Sequence, residues 1–339
     1  MILFITGQYA SAQYVHPILD KWLSKKIFKW KLVSTSVSCK YWRENKIRYK
    51  EIKKKSAGEV SKYIEKVKPN LIITSASVDV DIEHLFVIEG KKKSIPTACF
   101  IDTWVNYINR FNYKGKYIFP NLILAIDNRC KQEMIKEGIP KDIIQVVGQP
   151  YLESISKRVP SFGQNFLLAG QPINKYFGKT FGFDETDFRK IILKALKKRK
   201  ISNIISSKHP EEKLKKIDSK LNILHKKGRG IIDVEESHTV FGIFSMQMII
   251  GYLLGRNVAS IQPVVSKKDP SPLSRWNLIP ILKNANEVIK FIDKSNFKIS
   301  KKKIEKLLKK RSEQLGIRGS ITRFDKFLSI YLNKKKKIN

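Results

Sequence analysis

A chain of 339 residues, 42% of them hydrophobic, exceeds what one core usually supports, so two domains of ordinary size are expected. No stretch of about twenty uncharged apolar residues occurs, and the apolar opening Met1 to Thr6 is too short and lacks the basic flank of a signal peptide, which predicts a cytoplasmic protein. The net charge of +37 draws phosphates of any kind, but about four lysines stand for every arginine and most lie in short runs without interleaved aromatics, which argues against a specific nucleic-acid reader.

In chain order, Met1 to Thr6 reads as a buried strand, Gly7 to Ser11 as a turn of small residues and Ala12 to Leu23 as a helix with apolar residues at helical spacing. Ser56 and Glu59 form a capping box for a helix to about Val67, and Pro69-Asn70 leads into the strand Leu71 to Thr74. A helix over Ile82 to Gly90, strands at Ile95 to Ile101 and Leu122 to Ile126, a helix around Lys131 to Glu137 stopped by Gly138, and a strand at Ile144 to Val147 follow. Such apolar runs suit parallel strands buried on both faces.

The Pro, Gly and Ser content from Gly148 to Phe162 interrupts this rhythm, and the pattern restarts at Asn165, marking a second domain. Its expected units are strands at Phe166 to Ala169, Asn203 to Ser206, Gly230 to Asp233, Thr239 to Ile243 and Val258 to Gln262. Helices are expected near Asp187 to Lys198, Glu211 to Leu221 and Ser245 to Leu254, and basic amphipathic helices between Asn286 and Leu332. The division read from this is a first domain over residues 1–155, a second over 163–300 and a basic helical tail over 301–339. Cys39, Cys99 and Cys130 stand far apart without metal-ligand spacing, so buried reduced thiols are expected, with neither a disulfide frame nor zinc.

The segment Thr239 to Gly255, continued by Arg256 to Pro263, carries the most chemistry. A strand ends at Gly242, a turn presents Ser245 at a helix start with Gln247 behind it, and Gly255 closes the helix. Free amides and the dipole at such a start bind phosphate oxygens, although an ordinary strand-turn-helix joint reads the same way. This segment resembles the donor site shared by GT-B glycosyltransferases and nucleotide-sugar 2-epimerases. In those families a glutamate on this helix holds the nucleotide ribose; here Ile249 or Ile250 occupies its place, a departure that weighs against a 2-epimerase.

Ser206-Ser207-Lys208-His209-Pro210-Glu211 follows a strand and is similar to the HP motif of bacterial capsule transferases that use CMP- or CDP-linked donors. The resemblance implies that His209 contacts the donor phosphate, with Lys208 and Pro210 beside it. A His and a Lys at a helix start can neutralise charge on a departing phosphate without a metal ion; an incidental His-Pro in a loop is the alternative. Lys136-Glu137-Gly138 does not match the acidic pair that supplies the base in those sialyltransferase groups.

In the first domain, Asp102 stands at a strand's C-terminal end, where open α/β sheets place ligands, and is the leading candidate general base. Arg110 is placed either to bind an anionic acceptor or to pair with Asp102; a structural Asp102 would make that pair or cap a following helix. Gly7 and Gln8 in the first turn, followed by His16, resemble the acceptor-facing first loop of GT-B proteins, although His16 reads more readily as a helix-surface residue than as a catalyst. Val146 to Pro150 resembles the exit from the first GT-B domain, and Leu168 to Pro172, with Gly170 and Gln171, the donor-facing first loop of the second. Asp79-Val80-Asp81 imitates a metal-binding triplet but precedes a helix, where capping explains it.

These features predict an α/β protein of two Rossmann-like domains whose parallel sheets face each other across a cleft in the GT-B manner. The expected function is metal-independent transfer of a sugar or polyol phosphate from a nucleotide-activated donor to a glycan or lipid-linked acceptor, with no cofactor besides the donor itself. Asp102 and His209 are the expected catalytic residues, and the donor rests on Gly170, Gln171, Lys208, His209, Pro210, Gly242, Ser245 and Gln247. The acceptor side comprises Gly7, Gln8, His16 and Arg110. The rival readings are a nucleotide-sugar 2-epimerase or hydrolase of the same fold, and a non-enzymatic polyanion binder. The lysine runs near Lys301 to Lys310 and Lys334 to Lys337 suggest a peripheral contact with anionic membrane on the cytoplasmic face.

Overall fold

The computed structural model describes residues 1–35, 37–77, 81–158, 163–209, 212, 225–264, 269–295 and 301–336. The chain divides into two compact units, one of Met1–Ser154 with Glu313–Asn339 and the other of Ile155–Ser312.

The first unit is built on strands β1 (Ile2–Thr6), β2 (Trp30–Ser34), β3 (Lys50–Glu51), β4 (Leu71–Ser75) and β5 (Thr97–Phe100). A small antiparallel hairpin of β6 (Asn112–Tyr113) and β7 (Lys116–Tyr117) follows, then β8 (Leu122–Ala125) and β9 (Ile144–Val146). The seven-stranded sheet has the order β3-β2-β1-β4-β5-β8-β9, parallel throughout. Alternation along β1 divides its apolar run between two cores. Ile2 and Phe4 join Tyr14, Val15, Leu19, Trp22 and Trp42 from helices Tyr9–Lys25 and Val37–Glu44. Leu3 and Ile5 join Val60 and Ile64 of helix Ala57–Val67 and Ile82 and Phe86 of helix Asp81–Lys92.

Helix Ser320–Lys336 closes the first core rather than standing apart, burying Phe324 and Leu328 there. Trp22 Nε1 donates to Asp325 Oδ1 at 2.7 Å, and Lys21 pairs with the same carboxylate. Glu153 accepts from the Gly319 amide at 3.2 Å and the Ile321 amide at 2.8 Å, supplying acceptors and negative charge at a helix start. Gly148, at φ +111°, admits this approach: a Cβ there would fall 2.2 Å from Ser320 Oγ.

The second unit carries β10 (Asn165–Ala169), β11 (Ile204–Lys208), β12 (His225–Lys227), β13 (Ser237–Gly242), β14 (Asn257–Ile261) and β15 (Ile281–Leu282). Its six strands run parallel in the order β12-β11-β10-β13-β14-β15. Both units thus reverse strand order beside their first strand, at β1/β4 and β10/β13, the arrangement that opens a ligand site at the strands' C-terminal ends. Helices Glu185–Lys198 and Ala285–Lys294 share one core with Phe166, Leu168, Phe241 and Ile261. Helix Met246–Leu253 lies on the opposite face, where a Cβ on Gly251 would meet Val240 Cγ2 at 2.9 Å. Arg311 of helix Lys301–Gln314 donates to the carbonyls of Tyr252 at 2.6 Å and Arg256 at 3.2 Å, with its guanidinium 4.3 Å from the Tyr252 ring centre. A cation at the helix's C-terminal carbonyls suits their partial charge.

Two expectations change. Residues 230–233, expected as a strand, open helix Ile231–Glu235, because buried Asp233 accepts from the Arg229 amide and Nε, each at 2.8 Å. The strand expected there is β12, a few residues earlier. The unit β2 and helix Val37–Glu44, absent from the sequence reading, fills the space between the first helix and Ser56. The helix expected near Glu211 to Leu221 falls outside the described residues except at Glu212, as do Asp79 and Val80 of the acidic triplet; Asp81 begins a helix. Cys39, Cys99 and Cys130 are buried free thiols. No helix among the described residues is long and apolar enough to cross a membrane.

Candidate functional site

The C-terminal ends of β11, β10 and β13 lie side by side and bring most of the expected donor residues to one edge of the second sheet. Ser207 ties the three corners together. Its carbonyl accepts from the Gly170 amide at 2.8 Å, and its buried hydroxyl accepts from Gln247 Nε2 at 3.0 Å. Gln247 Nε2 also reaches the Gly230 carbonyl at 3.2 Å. Ser245 caps helix Met246–Leu253 through an Oγ that accepts from the Gln247 amide at 3.4 Å. Lys208 ends β11 and His209 follows it, Gln171 follows Gly170, and Pro210 lies outside the described residues.

The two glycines at these corners serve close packing. A Cβ on Gly170 would stand 2.4 Å from Glu212 Oε2, 2.6 Å from the Ser207 carbonyl and 2.9 Å from the His209 nitrogen. A Cβ on Gly242 would stand 2.6 Å from Met248 Sδ and 3.3 Å from Ala169 Cβ. Glu212 itself is fully buried and pairs with Arg189 of helix Glu185–Lys198, while its second oxygen accepts from the His209 amide at 3.3 Å. A buried ion pair therefore fixes the loop that presents His209, a support invisible in the sequence because the partners are separated by the strand.

Burial, and then the charge of Lys175 on helix Ile173–Phe177, lowers the His209 pKa below its ordinary value. Both effects favour the neutral imidazole near pH 7. With Lys208 and Lys175 nearby, this edge suits phosphate oxygens. Among the described residues no group of three or more His, Cys, Asp or Glu is placed to hold a metal ion.

At the first sheet's edge, Gly7 and Asp102 follow β1 and β5. Arg110 Nη1 donates to Asp102 Oδ1 at 2.9 Å and to the Ala76 carbonyl at 3.0 Å, and the pair is largely buried. The pairing alternative for Asp102 is therefore realised, and its carboxylate is engaged. The Gln8 amide donates to Ser11 Oγ at 3.1 Å, opening the first helix. His16 lies two turns farther along that helix, between the Tyr41 hydroxyl at 2.7 Å and Asp20 at 3.2 Å, and so away from the edge. Glu83, missed in the sequence, stands at the strand-order reversal, accepting from the Gly7 amide at 3.0 Å, the Ser77 amide at 2.9 Å and the Ser75 hydroxyl. Burial raises its pKa, and these three donors partly offset that. Its only sequence signal is an acid near a helix start, which capping explains equally well.

No family model and no curated protein matches the chain. Solved structures do. A UDP-GlcNAc 2-epimerase from Neisseria meningitidis bound to UDP-GlcNAc superposes with a TM-score of 0.65 at 12% identity, covering 98% of this chain and 99% of that one. A UDP-N-acetylglucosamine 2-epimerase from Rickettsia bellii gives 0.65 at 15% identity over 98% and 97%. A glycosyltransferase from Rickettsia africae gives 0.60 at 16% over 97% of both chains. At such identities the likeness speaks to the fold alone, and the fold is α/β with two Rossmann-like units of the GT-B type.

Proposed function

We propose that the chain is an enzyme acting on a nucleotide-activated sugar, with its second unit holding the donor diphosphate at the joints Gly170-Gln171, Lys208-His209 and Gly242 to Gln247. The observation that carries this reading is the convergence of those joints on Ser207, which gathers an imidazole, lysines and a helix start at one sheet edge. The solved epimerase structures that share the fold support a UDP-linked amino sugar as the first substrate to try.

Epimerisation at C2 is the reaction that the epimerase structures favour. Transfer to an acceptor is favoured by a specific feature of this chain: helix Met246–Leu253 offers no acidic residue, and Ile249 and Ile250 are 1% and 3% exposed, so that side chains at either position serve the core. In the transfer reading, Gly7 and Gln8 face the acceptor, and His209 steadies the leaving phosphate with no metal ion. Incubation with UDP-GlcNAc and separation of products tests both. Appearance of the C2 epimer supports epimerisation; UDP release that requires an added glycan supports transfer. If UDP neither binds nor shifts the melting temperature, and CDP, CMP and GDP do no better, the nucleotide-sugar reading is wrong. The His209→Ala variant is expected to lose about tenfold to a hundredfold in UDP affinity, the range for a hydrogen bond to a charged group.

A further inference from the structure

Most of the +37 charge lies outside the site described above, and part of it is concentrated on one face of the second unit. Helices Glu185–Lys198 and Ala285–Lys294 pack side by side over one face of the sheet, turning Phe188, Ile192 and Leu196 and then Val288 and Ile292 inward. Their outward sides are basic. Lys190, Lys194 and Lys197 form an exposed stripe on the first helix at the spacing that keeps side chains on one face, and Lys290 and Lys294 repeat it on the second. Lys198, Lys200 and Lys283 are exposed at the helix ends, as is Arg199.

The acids on these helices do not balance that charge. Glu185 is buried and accepts from the Asn174 amide at 3.1 Å, Asp187 accepts from the Asp184 amide at 3.1 Å, and Glu287 accepts from the Lys283 amide at 2.8 Å. Asp293 is the exposed carboxylate of the pair of helices, and it is matched to Arg199. Like charges four residues apart weaken a helix, so each stripe is held at a cost that an anionic partner would remove.

We infer that this face docks on an anionic phospholipid bilayer, through charge and without insertion. Phe188 is buried and Phe291 half-buried, so no exposed ring is offered for base stacking, and the one exposed guanidinium is committed to Asp293. Compact lysine charges spread over two adjacent helices match a diffuse negative surface better than they match the base edges of a nucleic acid. The inference is independent of the reaction catalysed.

Co-sedimentation of the full chain with phosphatidylcholine vesicles, with and without phosphatidylglycerol, tests it at salt concentrations on the order of 0.02 and 0.5 M. Binding is expected only to the anionic vesicles and only at the lower salt. Replacing Lys190, Lys194, Lys197 and Lys290 together by Gln is expected to lower the partition coefficient several-hundredfold, at about fivefold per lysine. A second variant with Lys53, Lys54, Lys66 and Lys68 of the first unit replaced by Gln is expected to bind nearly as the parent does. Sedimentation with neutral vesicles to the same extent, no sedimentation at low salt, or equal losses in the two variants would each overturn the inference. So would retention on duplex DNA or RNA without any binding to anionic vesicles.

Discussion

Replacing Glu212 by Gln should unsettle the whole donor edge. The carboxylate is fully buried, its partner Arg189 is 3% exposed, and its other oxygen receives the His209 amide. Gln keeps the shape but removes the charge, leaving the Arg189 guanidinium buried without its counterion. Breaking a buried pair in this way costs about 3–5 kcal/mol. For a unit of this size each kcal/mol lowers the melting temperature by about 2–4 °C, so a fall of roughly 6–20 °C is expected in calorimetry. Gly170→Ala attacks the same wedge from the other side, since its Cβ would press into Glu212 Oε2 and the His209 nitrogen, and overpacking costs about 1–3 kcal/mol. The decisive control replaces both charges, Arg189→Met with Glu212→Leu. Removing the pair as a unit leaves no orphan charge and should restore stability to within about 2 kcal/mol of the parent. If Glu212→Gln melts within 2 °C of the parent, or the double replacement is as damaging as the single one, the pair does not support the loop and the reasoning fails.

Gln247→Ala should cost about 1–2 kcal/mol in urea unfolding, because it removes the donor that joins Ser207 to the Gly230 carbonyl, and UDP affinity should fall with it. His209, whose pKa is lowered in the folded state, binds protons more readily when unfolded. Its contribution to stability is therefore present above the ordinary histidine value near 6.5 and is lost as pH falls from there through the folded value. Binding a diphosphate should reverse the shift, so calorimetry in buffers of different ionisation enthalpy should record proton uptake near pH 6, absent in His209→Asn. Asp325→Ala strands the Trp22 indole N–H, which is buried, and should cost about 1–3 kcal/mol while raising amide exchange in helix Ser320–Lys336; unchanged exchange would show that the helix is held by Phe324 and Leu328 alone.

The sequence disclosed the architecture where a signal is local. The apolar runs of β1, β4, β5 and β10 mark strands buried on both faces, and Gly242 to Gln247 marks a strand-turn-helix joint. It hid elements whose identity depends on partners. Trp30–Ser34 and its helix carry lysine and arginine between their apolar positions, so the strand shows itself only through its pairing with β1. Residues 231–235 are apolar enough for a strand and become a helix through the Arg229–Asp233 contact. Ser207 was visible beside Lys208, but nothing in the sequence distinguishes a hinge of hydrogen bonds from a spare hydroxyl. The support of His209 by Glu212 and Arg189 joins residues 23 positions apart and required the fold to be seen.

The two sheets share a strand order but not the charge at their C-terminal edges, and that difference is the reason the second unit is proposed as the diphosphate site. In the first unit the groups nearest the reversal are carboxylates: Glu83 is saturated by two amides and a hydroxyl, and Asp102 by Arg110. An anion brought there meets negative charge already satisfied, and would have to compete for the same donors. In the second unit the carboxylates near the edge, Glu212 and Asp233, are each matched to an arginine. Lys208, Lys175 and the His209 imidazole lie in the surroundings, and burial followed by the charge of Lys175 holds the imidazole's pKa low. Under the proposed reading, a phosphate entering that field would offset repulsion among the cations and oppose the lowering of the His209 pKa. Chemistry that requires a base is better matched to the first edge, but only if a substrate or a movement separates Asp102 from Arg110. An Arg110→Gln variant should consequently trade stability for a freer carboxylate, whereas no substitution at the second edge could supply one without placing negative charge where the diphosphate is expected.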